Sequence, residues 1–385
     1  MNEIQEKIIN TIENLKEDIF QVADSIWEHP EVGNEEFFAV DLLTGILRDK
    51  GFEITRSLCD LPTAFKAEFP NGDVPRVALL AEYDALPELG HACGHNLIAA
   101  ASFGAAVALA AIKEIEGSIL VIGTPAEETK GAKVLLANQG VFDDVDVAMM
   151  FHPSDTNIVE IHSLAMDALE FVFEGKASHA SSSPEEGINA LDAVIQFFNN
   201  INSLRLYLKD EANINGIITE GGITPNVTPE RAVARLYVRA RNRRKLDLVV
   251  KRVENCASAA ALLTGAHFWY RKYEPSYEAM KVSRTLAAVW KNNISMLGVN
   301  NIKSVCYSRG SLDMGNISRV VPAIHPYLAI NSKKIAPHTR DFAQAVKSKA
   351  GRETLIIATK ALALTAADVM LDNNLLKLIK KEFKD

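Results

Sequence analysis

Cysteine is scarce in this 385-residue chain, and its four copies, Cys59, Cys93, Cys256 and Cys306, lie far apart with no CxxC pair. That argues against a disulfide framework and leaves each cysteine needing its own explanation. Long apolar runs are missing too. The most apolar stretch, residues 97–112, is rich in alanine and broken by Ser102 and Gly104. It is too short to span a bilayer comfortably and reads as a buried core helix, so no membrane partner is expected. The opening MNEIQEKIINTIENLKEDIF mixes acids with lysines and has no apolar centre of the export-signal type. Its Ile4, Ile8, Ile12 and Leu15 mark an amphipathic helix instead, and a reducing cytoplasm is the expected compartment. Positive charge is not in excess: the formal net charge is -8. The chain carries no footprint for nucleic acid or anionic lipid, and small-molecule partners are expected. GxxxxGK[ST], GxGxxG after a strand, and GxSxG are all absent, and SRGSLDMG has the wrong spacing for a nucleophile elbow.

What is present is too long for one hydrophobic core, so two domains or one domain with a large insert are expected. A helix over about 4–29 leads into DLLTGILRDKG, where Gly51 stands as a helix C-cap. Three apolar runs read as strands: RVALLAEYD, SILVIGTPAEE and VDVAMMFHP. Helical patterns lie between them at NLIAAASFGAAVALAAIKEI and AKVLLANQG, which predicts a mostly parallel, doubly wound sheet. The middle differs. ALEFVFEG, a helix opened by Pro184, NINGIITEGGI, ERAVARLYVRA, a helix closed by Gly265, and HFWYRKYEP give the order βαββαβ of a ferredoxin-like unit. The resulting division is a catalytic domain in two segments, 1–165 and 278–385, with an α+β insert at 166–277.

Chemistry-bearing residues gather at the ends of the three runs. The first reaches Asp84 and is followed by GHACGHN with His91, Cys93 and His95; the second ends at Glu127 and Glu128; the third ends at His152. Ligands of open α/β sheets bind beyond the carboxyl ends of the strands, so these segments are placed to meet. Cys93 and His95, separated by a glycine, suit a turn that offers thiolate and imidazole to one ion. Alone, the same motif fits a small buried cysteine and a capping histidine. Adjacent glutamates point in different directions, so one can bind metal while the other acts as a general base. Alone, such a pair is a solvated surface feature. His338 in APHTRDF is weak by itself, and His179 in ASHASSSPEEG reads equally as an exposed loop residue.

Taken in order, AEYDALP, GHACGHN, GTPAEE, FHP, GKASHASSSPEEGINALDA, GGITPNVTPERA and the late HT resemble metallopeptidase family 20 over nearly the whole chain. The nearest likeness is to the branch of p-aminobenzoyl-glutamate amidohydrolases and dipeptidases. The resemblance implies a zinc-peptidase α/β domain with an inserted dimerisation domain, hence a homodimer. It implies two divalent ions per subunit, Zn2+ first and Mn2+ or Co2+ as alternatives, held by Cys93, His95, Glu128, His152 and His338. Glu127 would be the general base that cleaves the amide bond of an N-acyl amino acid or dipeptide. Asp84 would orient a ligand, His179 would reach the partner's site, and Asn226 and Arg239 would lie near the substrate carboxylate. Glu82 departs from the histidine or aspartate of most relatives, and Asn96 stands where the auxin-conjugate branch has aspartate. Two rivals remain at this point: a hydrolase with Cys93 as nucleophile, and a non-catalytic binding protein on the same fold.

Overall fold

Helices open the chain. In the computed structural model, which describes residues 2–72, 74–331 and 334–385, α1 (Glu3–Asn14) starts with a reciprocal capping box between Asn2 and Gln5. The expected single helix over 4–29 is interrupted at Leu15, whose ψ of 0° leaves helical geometry, and α2 (Lys16–Glu28) follows. α3 (Phe37–Asp49) ends before Gly51, which takes φ +91°. Next come β1 (Glu53–Arg56), β2 (Phe65–Phe69), β3 (Arg76–Ala81), α4 (His95–Ala110), β4 (Ser118–Gly123), α5 (Ala132–Asn138), β5 (Val147–Met149), β6 (His152–Ser154) and β7 (Asn157–His162).

The chain then builds a second compact unit from β8 (Ala165–Glu174), α6 (Ala190–Arg205), β9 (Ala212–Glu220), β10 (Arg231–Ala240), α7 (Arg243–Thr264) and β11 (His267–Lys272). Its sheet has the order β11-β8-β10-β9, antiparallel throughout, which is the ferredoxin-like arrangement. α6 and α7 cover one face of this sheet through Phe197, Ile201, Leu246, Val253 and Ala257, packed on Leu169, Phe171, Leu236 and Val238. Pro184 does not open α6. It sits in a short 3-10 turn, and the helix begins after Asn189, whose side chain accepts from Leu191 N and Asp192 N. The unit comprises Ser163–Ala279 and also takes Arg309–Gly315 from the later segment.

The remainder returns to the first unit with α8 (Arg284–Met296) and β12 (Ile302–Tyr307), then the short α9 (Met314–Ile317), β13 (Ala323–Ile324), β14 (Tyr327–Ala329), α10 (Arg340–Val346), α11 (Lys349–Leu371) and α12 (Asn373–Lys384). The first unit's main sheet runs β1-β2-β4-β3-β5-β13. β4, β3, β5 and β13 are parallel and almost wholly apolar and buried, while β1 and β2 join antiparallel at the edge. A smaller sheet has the order β12-β7-β14-β6. α11 is long and apolar enough to cross a membrane, but 78% of that window is buried. It is a core helix packed on α4 and α8.

Candidate metal centre

The parallel strands set the site because their carboxyl ends converge. Past β3, Glu82, Tyr83 and Asp84 are buried. Asp84 Oδ1 accepts from His95 Nδ1 at 2.9 Å, and its Oδ2 accepts from Glu128 N at 3.0 Å. One carboxylate thus ties together the Cys93–His95 turn and the double-glutamate turn. A carboxylate accepts only, so the His95 proton sits on Nδ1 and the Nε2 lone pair is left for a ligand.

The turn itself depends on Gly94, which takes φ +80°; a Cβ there would lie 2.6 Å from Pro153 Cγ. Glycine lets β6 close onto the turn. Cys93 Sγ then lies 3.5 Å from His152 Nε2, while His152 Nδ1 donates to Pro153 O at 2.7 Å. In TPAEE, Ala126 takes φ +57°, a strained value for a residue with a Cβ. Glu36 holds that geometry: its Oε1 accepts from Ala126 N at 2.8 Å and its Oε2 from Thr63 Oγ1 at 2.7 Å. His338, also at positive φ (+63°), donates its N–H to Ala92 O at 2.9 Å. The late segment is thereby seated on the Cys93 turn, with His338 Nε2 3.1 Å from Glu128 Oε1.

Three donor groups result: Cys93, His95 and His152; Cys93, Glu128 and His338; and His95, Glu127 and Glu128, the ligand atoms of each lying within 4.8 Å of one another. Cys93 is common to the first two, the arrangement of a thiolate between two ions. His95 Nε2 and Glu128 Oε1 are buried without hydrogen-bond partners, since the contact from His338 is close but lacks hydrogen-bond geometry. Orphaned buried acceptors are costly unless a cation meets them, and thiolate, imidazole and carboxylate are the donors that zinc and its neighbours take. The residues present therefore fit two divalent ions.

The electrostatics agree. Burial pushes the Cys93 thiol up, more than His95 pulls it down. Burial also takes His152 down to about 4, against the pull of Glu82. For His95 the burial effect is outweighed by Asp84, Cys93 and Glu82, which favour its imidazolium, so an ion that binds at Nε2 displaces the proton there. His338 is raised by its contact with Glu128. Glu82, Asp84 and Glu128 stay below the usual carboxylate range despite burial, because cationic neighbours surround them. Buried carboxylates this dense need added positive charge.

Several contributors were not read from the sequence. Lys133, fully buried, places Nζ 2.5 Å from Glu82 Oε1. The available signal was a lysine inside the apolar face of α5, between Ala132 and Val134. Glu36 gave none. His325 is buried with neither ring nitrogen hydrogen bonded, its ring 5.4 Å from that of His152. His91 belongs to none of the donor groups and donates from Nε2 to Ile26 O at 3.0 Å. Asn96 donates to Ala23 O at 3.0 Å, which makes it a tie between helices.

The other expected residues lie in the second unit. His179 is exposed, and its Nδ1 accepts from Ser181 N at 3.3 Å and Ser182 N at 3.1 Å. The neutral ring therefore carries its proton on Nε2, which leaves that nitrogen as the donor. Ala180 N donates to Asn226 O at 3.0 Å, which joins the His179 and Asn226 loops. Arg239 is not with them. It lies eight residues beyond the first residue of β10, Arg231, which at the usual rise per residue is about 26 Å away.

Comparison with known proteins identifies the family. Residues 165–264 match the model of the peptidase dimerisation domain. The chain is 36% identical over 398 residues to a Mus musculus Xaa-Arg dipeptidase, covering 99% of this chain and 92% of that protein. It is 28% identical over 460 residues to a p-aminobenzoyl-glutamate hydrolase polypeptide of Escherichia coli, covering 99% and 95%. The fold is similar to that of a Bacillus subtilis dinuclear metal binding peptidase from the M20 family, with a TM-score of 0.73 at 20% identity over 93% of this chain and 99% of that one. The chain belongs to the M20 family of metallopeptidases and is a metal-dependent hydrolase of amide and peptide bonds.

Proposed function

We propose that the protein is a dipeptidase that removes the C-terminal residue of a small dipeptide, with a basic residue such as arginine as the preferred leaving amino acid. The carrying observation is the pair of donor groups that share Cys93. The name of the relative similar over nearly the full length, an Xaa-Arg dipeptidase, supports the substrate class. When bound, two divalent ions, Zn2+ by preference and Mn2+ or Co2+ as substitutes, supply Lewis acidity to the scissile carbonyl and lower the pKa of a water. Cys93, His95 and His152 would hold one ion, and Cys93, Glu128 and His338 the other. Glu127, on the turn fixed by Ala126 and Glu36, takes the water's proton and passes it to the leaving amine. Asp84 fixes the His95 tautomer and the Glu128 backbone.

His179 presents Nε2–H as a donor to the developing oxyanion, Asn226 stands beside it, and Arg239 receives the terminal carboxylate. A dipeptide cannot bridge the two ends of β10. On this reading Asn226 and His179 of one copy serve the site of another, in line with the matched dimerisation domain, and the working form is a homodimer. Exposed Ile217, Ile218, Ile223 and Val227, on β9 and the loop after it, offer the apolar area for it. All four cysteines are free, which suits a reducing cytoplasm. A cysteine nucleophile is disfavoured because Cys93 is buried and its thiol pushed up, the reverse of an activated thiolate. The test is amine release from a panel of dipeptides and N-acyl amino acids with Zn2+, Mn2+ or Co2+ added. Turnover abolished by a chelator and restored by metal is expected; turnover that survives full metal removal overturns the reading.

A further inference from the structure

The open face of the second unit's sheet, opposite α6 and α7, carries two charges that its ion pairs leave over. The two buried acids of β8 are matched: Glu170 takes Arg235 at 2.8 Å and Arg271 at 2.7 Å, and Asp167 takes Arg243 and Lys272. Arg239 and Glu274 differ. Arg239 Cζ lies 5.1 Å from the Tyr237 ring centre, on the same face two residues along β10. Its Nη1 reaches only the neutral Asn215 Oδ1 at 3.3 Å, and its Nε is buried with no hydrogen-bond partner. Glu274 accepts at 2.8 Å from the Tyr237 hydroxyl, also a neutral partner. Among the described residues neither has an ion-pair partner. One tyrosine thus acts as a spacer, with a guanidinium over its ring and a carboxylate at its hydroxyl. Tyr273 stacks on Tyr237 at 6.2 Å and 15° and holds the ring in place.

The free edge of Arg239, Nε with a terminal nitrogen, is the fork that binds a carboxylate side-on. Tyr237 holds Arg239 at its ring and Glu274 at its hydroxyl, so a short chain anchored on the one lies within reach of the other. We infer that Arg239, Tyr237 and Glu274 form a cradle for an amino acid with both a free carboxylate and a cationic side chain. Glu274 is the residue that selects arginine or lysine at the end of the dipeptide. The inference rests on the dipeptidase reading and names its specificity determinant. A neutral side chain of the same shape leaves the Glu274 charge unmatched, the kind of mismatch by which polar pockets reject analogues.

The test compares β-alanyl-arginine with β-alanyl-citrulline, its neutral isostere, on the Zn2+-loaded full-length protein. The arginine peptide is expected to have a kcat/KM about 10- to 100-fold higher. Glu274→Gln keeps an acceptor for Tyr237 and brings the ratio near one, through a raised KM for the arginine peptide. Glu274→Lys reverses the preference toward β-alanyl-glutamate. A Glu274→Gln protein that keeps the arginine preference overturns the inference. Calorimetric binding of free L-arginine against L-citrulline separates the two levels of the argument. If neither peptide is cleaved, the dipeptidase reading fails. Arginine-selective binding that is lost in Glu274→Gln still upholds the cradle, and equal binding of the two amino acids removes it.

Discussion

Oε2 of Glu82 faces Nε2 of His95 across 3.4 Å, and neither atom has a hydrogen-bond partner. The other Glu82 oxygen is held by Lys133, whose side chain is wholly buried. Of the cationic neighbours of this buried carboxylate, the ammonium acts most strongly. Removing one member of such a pair leaves a buried lone charge and costs about 3–5 kcal/mol, whereas removing both is far milder. Lys133→Met is therefore expected to destabilise the metal-free protein by about that amount, and addition of Glu82→Gln to recover at least half of the loss. Urea unfolding of the three proteins measures this; equal losses in the single and double variants would contradict a charge-compensating role for Lys133.

The sharing of Cys93 makes metal stoichiometry informative. His338 and His152 each belong to a donor group that the other does not enter, whereas Cys93 belongs to both. Cys93→Ala is expected to lose both ions on dialysis, and His338→Ala or His152→Ala to lose one. In the Cys93 variant affinity should fall beyond the roughly 10- to 100-fold typical of residues that only orient ligands. Elemental analysis after exhaustive dialysis decides the matter, and two retained ions in Cys93→Ala exclude the bridging role.

Glu127 separates chemistry from metal holding. Glu127→Gln is expected to lower kcat by about 100- to 10,000-fold, the usual contribution of a positioned base. Its metal content should match that of the parent protein, because the two groups that share Cys93 do not include Glu127. Near-parental turnover in this variant would move the base to another residue.

Much of this site could be read before any fold was known, and the reason is physical. Cys93, Glu128 and His152 follow strongly apolar strands, and an apolar run that ends in a ligand side chain is visible in a linear chain. The βαββαβ order was legible for the same reason, since strand and helix periods alternate cleanly. Other parts could not be read. Glu36 lies 90 residues before the Ala126 it supports and shares no pattern with it. Lys133 and Glu82 meet only because α5 folds back over the end of β3. The break at Leu15 leaves the apolar spacing of α1 and α2 intact, so the pattern runs straight through it. The distance between Asn226 and Arg239 exists only once β10 is extended between them.

Acid should weaken the second unit through Asp167. Burial pushes its carboxyl up, but Ser276, Arg243 and Lys272 outweigh this and hold it below the usual range. A depressed folded pKa contributes stability in full above the unfolded value, about 3.9. That contribution is lost as pH falls through the folded value. Asp167→Asn has no such group to titrate. It should be less stable than the parent at pH 7, with the gap narrowing as pH falls below about 4. Urea unfolding across that range is the measurement, and a gap independent of pH would assign the stabilisation to packing alone.

The proposed homodimer with shared sites is testable by complementation. The loops of His179 and Asn226 are one joined pair, tied between Ala180 N and Asn226 O, and Arg239 lies at the far end of β10. On the proposed reading each active centre takes its base from one subunit and its oxyanion donor from the other. Glu127→Gln and His179→Ala should each be nearly inactive alone. In a mixed dimer one centre keeps an intact Glu127 and receives an intact His179 from the partner, while the other loses both. Random re-pairing in a two-fold assembly should therefore restore about a quarter of parental activity. Mixtures that stay inactive after denaturation and refolding together would place His179 and Glu127 in the same subunit's centre, or remove His179 from the reaction.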